Sequence, residues 1–190
     1  MLKDLIIKNR SYRRFYQEEL VELTTLRSLV DLARLSATGS NLQSLKYVTS
    51  NAKEKNAAIF DSLGWAGYLK GWNGPVEGER PAGYILILGD TEICPEFGCD
   101  HGIAAQSIML GGAELGLGGC IIDSVNRFKL ASVLQIPPRY KIMLVLALGK
   151  PKEKVVLELV QSDQDIKYWR DREGIHHVPK RALDDIILNY

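Results

Sequence analysis

One stretch, residues 100–125, constrains the fold more than any other part of the chain. Between positions 102 and 117 only three residues are polar, Gln106, Ser107 and Glu114. A helix that is apolar on nearly all sides has to be enclosed by protein. The stretch therefore predicts a buried central helix, around which the other elements pack.

Two groups of glycines set the limits of this helix. Gly111 and Gly112 lie inside it, where each costs about 1 kcal/mol relative to alanine, so a close approach of other backbone should compensate. The neighbour is either another part of the chain or a second subunit. Beyond the glycine-rich turn 116–119, the apolar run 120–122 predicts a strand.

The composition fits one globular domain over residues 1–190. The chain is 46% hydrophobic and 25% charged, which is ordinary for a domain with a sizeable core. A net charge of +1 gives no overall attraction for nucleic acid or an anionic membrane. The longest apolar run, 142–148, is too short to cross a bilayer. The odd number of cysteines, three, does not indicate a disulfide framework. Together, these features lead us to expect a soluble, cytoplasmic protein without nucleic-acid or membrane partners.

Hydrophobic periodicity and turn residues predict the remaining elements. Helices are expected over 2–8, 18–35, 52–63 and 126–134, and strands over 46–49, 82–88 and 140–148. Strands separated by helices indicate a mixed α/β sheet. Asp100 is expected to be the N-cap of the central helix. Residues 161–190 are expected to form an extended C-terminal arm with a short apolar element at 182–188, and we expect the adjacent His176 and His177 on its surface.

The most unusual local cluster is basic and lies near the N-terminus. Arg10, Arg13 and Arg14 surround Ser11 and fall within five residues. Guanidinium groups match phosphate oxygens two at a time, and a serine hydroxyl adds a donor. A solvated basic turn explains the same residues. Both interpretations stay open on the residues alone.

Three other segments have alternative interpretations. The small, polar loop 36–43 can place backbone amides against a planar ligand, or it is a plain connection. The aromatic segment 65–72 is either a mobile flap or a satellite hydrophobic cluster. Cys94, Cys99 and His101 lack the usual ligand spacing and a fourth ligand, so no metal site is expected.

Several motifs of enzyme active sites are missing. The sequence has no dinucleotide-binding G-x-G-x-x-G, no phosphate-binding G-x-x-x-x-G-K-[ST], no G-x-S-x-G and no H-E-x-x-H. With only three histidines, few catalytic triads are available. If the protein is an enzyme, a cofactor is expected to supply the reactivity.

Five short segments resemble the nitroreductase family of FMN-dependent oxidoreductases. R-S-Y-R-R-F at 10–15 resembles the family's R-S-x-R-x-F, and S-A-T-G-S-N-L-Q at 36–43 is similar to its A-P-S-G-G-N-L-Q. L-G-L-G-G-C at 115–120 resembles its L-G-L-G-S-C, and Ile136-Pro137 and L-G-K-P at 148–151 follow in the family's order. The chain departs from the family at Asn9, Ala37, Thr38 and Ser44-Leu45.

The resemblance implies an α+β nitroreductase-like fold with a mixed, mainly antiparallel sheet flanked by helices. It places the central buried helix at a homodimer interface, with FMN bound between the subunits. The implied activity passes hydride from NADH or NADPH through flavin N5 to a small acceptor, such as a nitroaromatic or a quinone, by a ping-pong mechanism. No catalytic side chain is obligatory. The alternative is a non-catalytic flavin-binding or electron-carrier homodimer.

The resemblance also assigns cofactor-binding residues. Arg10, Ser11 and Arg13 would hold the phosphate and ribityl end, with Arg13 an exposed loop arginine that also reaches the pyrimidine edge. The basic pair Lys180 and Arg181 would complete the phosphate clamp. The other subunit would supply Thr38, Ser40 and Asn41. The segment Ile122, Asp123 and Ser124 would pass along the isoalloxazine ring.

Overall fold

The computed structural model describes residues 1–161 and 164–188. The helices are α1 (Leu2–Lys8), α2 (Leu23–Leu35), α3 (Lys53–Phe60), α4 (Asp100–Glu114) and α5 (Arg127–Leu134). The strands are β1 (Phe15–Tyr16), β2 (Leu45–Ser50), β3 (Gly83–Asp90), β4 (Gly118–Ile122), β5 (Tyr140–Pro151), β6 (Val155–Val160), β7 (Trp169–Arg170) and β8 (His176–Arg181). Short 3-10 turns cover Gly39–Asn41 and Leu183–Asp185.

The main sheet has five strands and is antiparallel at every described pairing. Its order is β1-β5-β3-β2, and β4 also pairs with β5. Leu146 of β5 lies opposite Ile85 of β3 and Ile121 of β4. The α+β fold with a mainly antiparallel sheet is therefore confirmed. The alternation of helices and strands by itself indicates a mixed α/β sheet, but the helices here connect strands that pair antiparallel.

Side-chain alternation along β3 divides the core into two clusters. Ile85 and Ile87 pack in the cluster that contains residues of α2 and α4. Leu86 and Leu88 pack in the second cluster, with residues of α3 and α5. Because helices cover both faces, β3 is buried along its whole length and reads as a continuous apolar run.

The central helix α4 confirms the prediction of a buried element, with one qualification. Ala105 and Ile108 have no exposed surface. Ile103 and Gln106, on another side, are exposed in the single chain. A Cβ added to Gly111 would overlap the Leu32 side chain of α2. The glycine is therefore explained by helix packing within the chain and carries no evidence for a second subunit.

Two predicted helix starts need correction. Cys99, not Asp100, is the N-cap of α4, and the Asp100 carboxylate accepts a hydrogen bond from the Gly39 amide at 2.9 Å. Helix α2 begins at Leu23 rather than at residue 18. Val21 is buried in a non-helical segment, and its carbonyl accepts from Nδ2 of the Asn51 side chain at 3.1 Å. Tertiary contacts thus replace the first helical turn expected there.

The C-terminal segment forms part of a second sheet with the order β6-β8-β7. Strands β6 and β8 run parallel, with Val155 opposite His176, and β7 pairs antiparallel with β8. The segment expected as an extended arm thus pairs, over its described strands, with β6 of the same chain. The single domain 1–190 and the arm 161–190 stay predictions, and residues 162, 163, 189 and 190 lie outside the described part. Among the described residues, no helix has the length and apolarity needed to cross a membrane.

Candidate functional site

A pocket of about 250 Å³ lies where both ends of the chain meet α4 and β4. Four of the residues assigned to cofactor binding line it together: Arg10, Ser11, Arg13 and Lys180. The other lining residues are Asn9, Gln106, Met109, Gly119, Ile121, Tyr168, His176 and Val178. The fold therefore brings basic side chains about 170 residues apart in sequence into one cavity.

The N-terminal basic loop is fixed against β4. The Tyr12 amide donates to the Gly119 carbonyl at 2.9 Å, and Ser11 forms a parallel bridge with the same glycine. A Cβ at Gly119 would lie 2.5 Å from the Ala147 carbonyl oxygen and 2.9 Å from the end of Met109. Gly119 is thus required for β4 to lie close to β5 and α4. Because Ser11 and Tyr12 pair with Gly119, the position of β4 also determines where the basic loop lies beside the pocket.

Strand β8 forms another wall through its two-residue side-chain period. His176, Val178 and Lys180 all line the pocket. By the same alternation Arg181 projects from the opposite face of β8. The structure therefore separates the two residues that the resemblance pairs in one phosphate clamp.

Arg10 presents a donor that the described chain does not satisfy. Its Nη2 donates to the Ile6 carbonyl at 2.6 Å, while its buried Nε has no hydrogen-bond partner among the described residues. Burial lowers the pKa of Arg10, but a guanidinium remains charged at neutral pH. A buried donor without a partner is costly, and an anionic ligand would satisfy it.

Arg13 is not the exposed loop arginine that the sequence suggests, because only 8% of it is exposed. Its Nη1 donates to the Ser11 carbonyl at 3.2 Å and to Nε2 of His176 at 3.0 Å. The guanidinium also lies 4.6 Å from the centre of the Tyr168 ring. Arg13 is therefore held from three directions inside the pocket wall.

A buried carboxylate connects the basic loop to β7. Glu153 accepts from the amides of Arg13 and Arg14, and from Nη2 of Arg170 at 2.8 Å. These hydrogen bonds fix the main chain of the loop. The orientation of the Arg13 side chain is set instead by its own contacts with Ser11, His176 and Tyr168.

Arg14, the third arginine of the cluster, forms an ion pair outside the pocket. Its Nε and Nη2 both donate to Glu79 at 2.6 Å. This pairing, with help from Lys152, lowers the pKa of Glu79 to about 2. The cluster therefore divides into two arginines that line the pocket and one that holds the loop to the segment before β3.

Sequence reasoning missed His176, which is fully buried in the pocket wall rather than on a surface. Burial, followed by the charges of Arg13, Arg170 and His177, lowers the pKa of His176 to about 4. The imidazole is therefore neutral at physiological pH. The alternating spacing of His176, Val178 and Lys180 was the available signal, but it becomes useful only once the segment is known to be a strand. Tyr168, Gln106, Met109 and Ile121 were missed as well.

Ile122, at the end of β4, and the following Asp123 and Ser124 do not line this pocket. Ile122 is 5% exposed and packs in the second core cluster, and its neighbour Ile121 lines the pocket instead. Asp123 pairs with Arg127, and the Ser124 carbonyl accepts from the Gly64 amide at 2.7 Å. Successive residues of a strand point to opposite faces, so Ile121 and Ile122 face the pocket and the core respectively.

The loop with Thr38, Ser40 and Asn41 is likewise outside the pocket. It lies beside the first turn of α4, where Gly39 is bonded to Asp100. Ser40, Asn41 and Gln43 have φ angles of 50°, 54° and 51°. Such left-handed conformations cost about 1–2 kcal/mol each at Ser40 and Gln43, whereas asparagine adopts them more readily. Strain of this kind concentrates at functional sites.

The aromatic segment divides into two parts with different contacts. Trp65 packs against the second core cluster, with its ring centre 5.6 Å from that of Phe60. Tyr68 contacts Tyr168 at 5.0 Å between ring centres, and Trp72 lies 4.9 Å from the Arg170 guanidinium. Trp65 is thus a satellite of the core, while the rest of the segment covers the outer side of the pocket wall.

The chemistry of the lining favours an anion. Arg10, Arg13 and Lys180 supply positive charge, and among the described residues no carboxylate lines this cavity. A larger hollow of about 470 Å³ elsewhere has both signs of charge, with Lys53 and Arg80 opposed by Glu18 and Glu77. We therefore assign the functional site to the smaller cavity, where no carboxylate among the described lining residues opposes the positive charge.

Comparison with known proteins finds a family whose model matches part of the chain. The sequence model of the nitroreductase family matches residues 84–150, which run from β3 through most of β5. Over this region the chain is similar to the nitroreductase family. A search of curated protein sequences finds no match. The matched region supplies β4 and α4 to the pocket, whereas the basic residues come from outside it.

Solved structures of nitroreductase family proteins share the fold of this chain. A nitroreductase family protein from Streptococcus pneumoniae TIGR4 aligns over 100% of both chains, with 16% identity and a TM-score of 0.73. An FMN-dependent nitroreductase from Clostridium difficile R20291 aligns over 89% of this chain and 92% of its own, with 22% identity and a TM-score of 0.63. A family protein from Clostridium difficile 630 covers 80% and 84%, with 21% identity and a TM-score of 0.64.

Proposed function

We propose that this protein binds FMN and uses it as an oxidoreductase. NADH or NADPH would deliver hydride, and a small acceptor such as a nitroaromatic or a quinone would receive it in a second, separate step. The observation that carries the proposal is the convergence of Arg10, Arg13 and Lys180 on one cavity without carboxylates. The Clostridium difficile R20291 neighbour, described as an FMN-dependent nitroreductase, supports the choice of flavin.

The residues present fit the phosphate end of FMN. A phosphate monoester carries about −1.5 to −2 charges at neutral pH and three strong acceptor oxygens. The unpartnered Arg10 Nε supplies a donor for such an oxygen, and Ser11 and Lys180 line the same cavity. A volume of about 250 Å³ suits the phosphate and part of the ribityl chain rather than the whole flavin. The ring would extend beyond this pocket.

Bound FMN would supply the hydride chemistry, for which the chain offers no catalytic side chain of its own. The protein would bind and orient the cofactor. Arg13 would add a fixed positive charge to the wall, since its partners Ser11 and His176 hold it in place. Preorganised charge of this kind stabilises negative charge that develops during a reaction without further reorganisation.

We propose a homodimer in which each copy completes the site of the other. Thr38, Ser40 and Asn41 would come from the partner copy. The strained φ angle of Ser40 supports this, because strain of this kind concentrates at functional sites. Asp123 and Ser124 remain proposed neighbours of the ring. We also propose a cytoplasmic location, which suits three cysteines that are all unpaired.

Anaerobic spectroscopy of the purified protein tests the proposal. We expect a yellow protein, or a colourless one that becomes yellow and retains FMN after gel filtration. NADH or NADPH should then bleach the flavin absorbance, and addition of a quinone or nitroaromatic should restore it. A protein that takes up no FMN contradicts the proposed cofactor. A flavoprotein that neither nicotinamide reduces is instead the non-catalytic carrier.

A further inference from the structure

The least expected contact in the pocket joins two basic side chains. Nη1 of Arg13 lies 3.0 Å from Nε2 of His176, and both residues line the cavity. Arginine has only donors, so Nε2 of His176 must be the acceptor and the ring proton must lie on Nδ1. The contact therefore requires a neutral imidazole in one defined tautomer.

We propose that His176 is a positioning residue for the bound anion, because its neutral ring holds the Arg13 guanidinium in the orientation that meets the ligand. This inference rests on the proposed FMN site and assigns to it a residue that touches Arg13 rather than the chemistry. Glu153 fixes only the amide of Arg13. The direction of the guanidinium then depends on the Ser11 carbonyl, the Tyr168 ring and His176.

The surroundings of His176 keep it neutral. Arg13 comes from the N-terminal loop, Arg170 from β7 and His177 from its own strand, and all three disfavour a second positive charge. Glu153 is bonded to both Arg13 and Arg170 and partly offsets them. Lys180 adds another cation to the same cavity. The positive charges that form the anion site thus keep His176 neutral, so that its Nε2 remains a hydrogen-bond acceptor.

A purely structural role explains His176 less well. Its Nδ1 is buried and has no hydrogen-bond partner among the described residues. A side chain that only filled space there would be apolar, because an unsatisfied buried donor is unfavourable. A polar ring at this position is explained by its Nε2, which accepts a hydrogen bond from Arg13.

A double-mutant cycle tests the proposal through FMN affinity. Apo protein is titrated with FMN, and quenching of flavin fluorescence gives the Kd for wild type, His176→Phe and His176→Gln. Phenylalanine keeps the ring volume but has no acceptor, whereas the Gln amide oxygen can accept from Arg13. We expect about a tenfold weaker Kd for H176F, since a hydrogen bond to a charged group is lost. H176Q should stay within about threefold of wild type if it restores that bond.

The same substitution is then made beside Arg13→Met. In that background H176F should have no further effect on the Kd, because contacting residues that act together are non-additive. Equal losses in both backgrounds, or an H176Q as weak as H176F, would overturn the inference. Thermal unfolding without FMN checks the fold, and His176→Met replaces H176F in the cycle if H176F does not fold.

The two proposals fail in different ways. A wild-type protein that binds no FMN contradicts the proposed function. A wild-type protein that binds FMN and an H176F variant that binds it equally well contradict only the role of His176.

Discussion

At the scale of single residues, the basic side chains of the pocket differ in burial and in how many of their donors are already hydrogen-bonded within the chain. Arg13 is buried and bonded on several sides, and Arg10 keeps one free donor. Lys180 is exposed and has a flexible side chain at the mouth of the cavity. Lys180 is therefore the residue whose loss should affect ligand binding with the least effect on folding.

Lys180→Gln is predicted to weaken FMN binding about tenfold, because a charge-assisted contact to the phosphate is lost. Arg181→Gln is the matched control, since it removes the same charge one position along β8, on the other face. We expect a change in Kd of less than about threefold for the control, with closely similar thermal unfolding for both variants. Flavin fluorescence titration measures the difference. Equal losses of affinity would place both side chains in the phosphate site.

At the scale of elements, β8 carries two adjacent histidines with opposite environments. His176 faces the pocket and its cations, whereas Nδ1 and Nε2 of His177 contact Glu158 at 2.5 Å and Asp171 at 3.1 Å. His177 also stacks on Trp169 of β7, 4.0 Å away. The hydrogen bond to Asp171, with help from Glu158, raises the pKa of His177. The two faces of one strand therefore have opposite dependences on pH.

The stability of the second sheet should depend on pH in both directions. The contribution of His177 is complete below the ordinary pKa of 6.5 and is lost as the pH rises through its raised pKa. That of His176 changes in the other direction: stability falls as the pH drops from 6.5 toward its lowered pKa of about 4. Thermal unfolding of the protein without FMN, measured from about pH 4 to 9, should therefore show both limbs.

His177→Gln is the matched variant for the alkaline limb. It should remove the loss of stability above pH 6.5 and leave the acid limb of His176 in place. An alkaline limb that persists unchanged in H177Q would show that the Glu158–His177–Asp171 contacts do not stabilise the sheet.

At the scale of the whole molecule, one surface of the single chain is incompletely covered. Helix α1 has no buried residue, and its Ile6 and Ile7 are 44% and 48% exposed. A helix of seven residues is marginal in water without tertiary packing. Ile103 of α4 is 38% exposed although the helix is apolar on nearly all sides. A second copy of the chain, packed over α1 and α4, would cover these residues.

Ile103→Glu is predicted to convert a dimer into monomers, because it places a charge in the centre of that surface. The monomer should also lose FMN, since Thr38, Ser40 and Asn41 would no longer reach the partner's site. Val76→Glu is the control, as Val76 is a more exposed apolar residue in the loop before β3. Size-exclusion chromatography with light scattering gives the mass of each variant. A wild-type monomer, or a dimeric I103E that retains FMN, would contradict the shared site.

Local elements were predictable where local interactions determine them. Helix α1 has the predicted bounds, and Asn126 caps α5 by accepting from the Lys129 amide at 3.0 Å. The start of α2 and the cap of α4 were wrong, because Val21 and Asp100 are committed to distant partners. In the site, the cluster Arg10, Ser11 and Arg13 was identifiable from its composition. Its burial was not, since burial depends on segments far away in the sequence.

The sequence by itself determined the buried central helix, the strand after its glycine turn and the residue types of an anion site, because periodicity and charge are local properties. Only the tertiary structure decided which of these residues meet. The pairing of β6 with β8 directs His176 and Lys180 into the pocket and Arg181 away from it. The two-residue period of β4 places Ile121 in the pocket lining and Ile122 in the second core cluster. Strand register and long-range packing make those choices, and neither is encoded within any short segment.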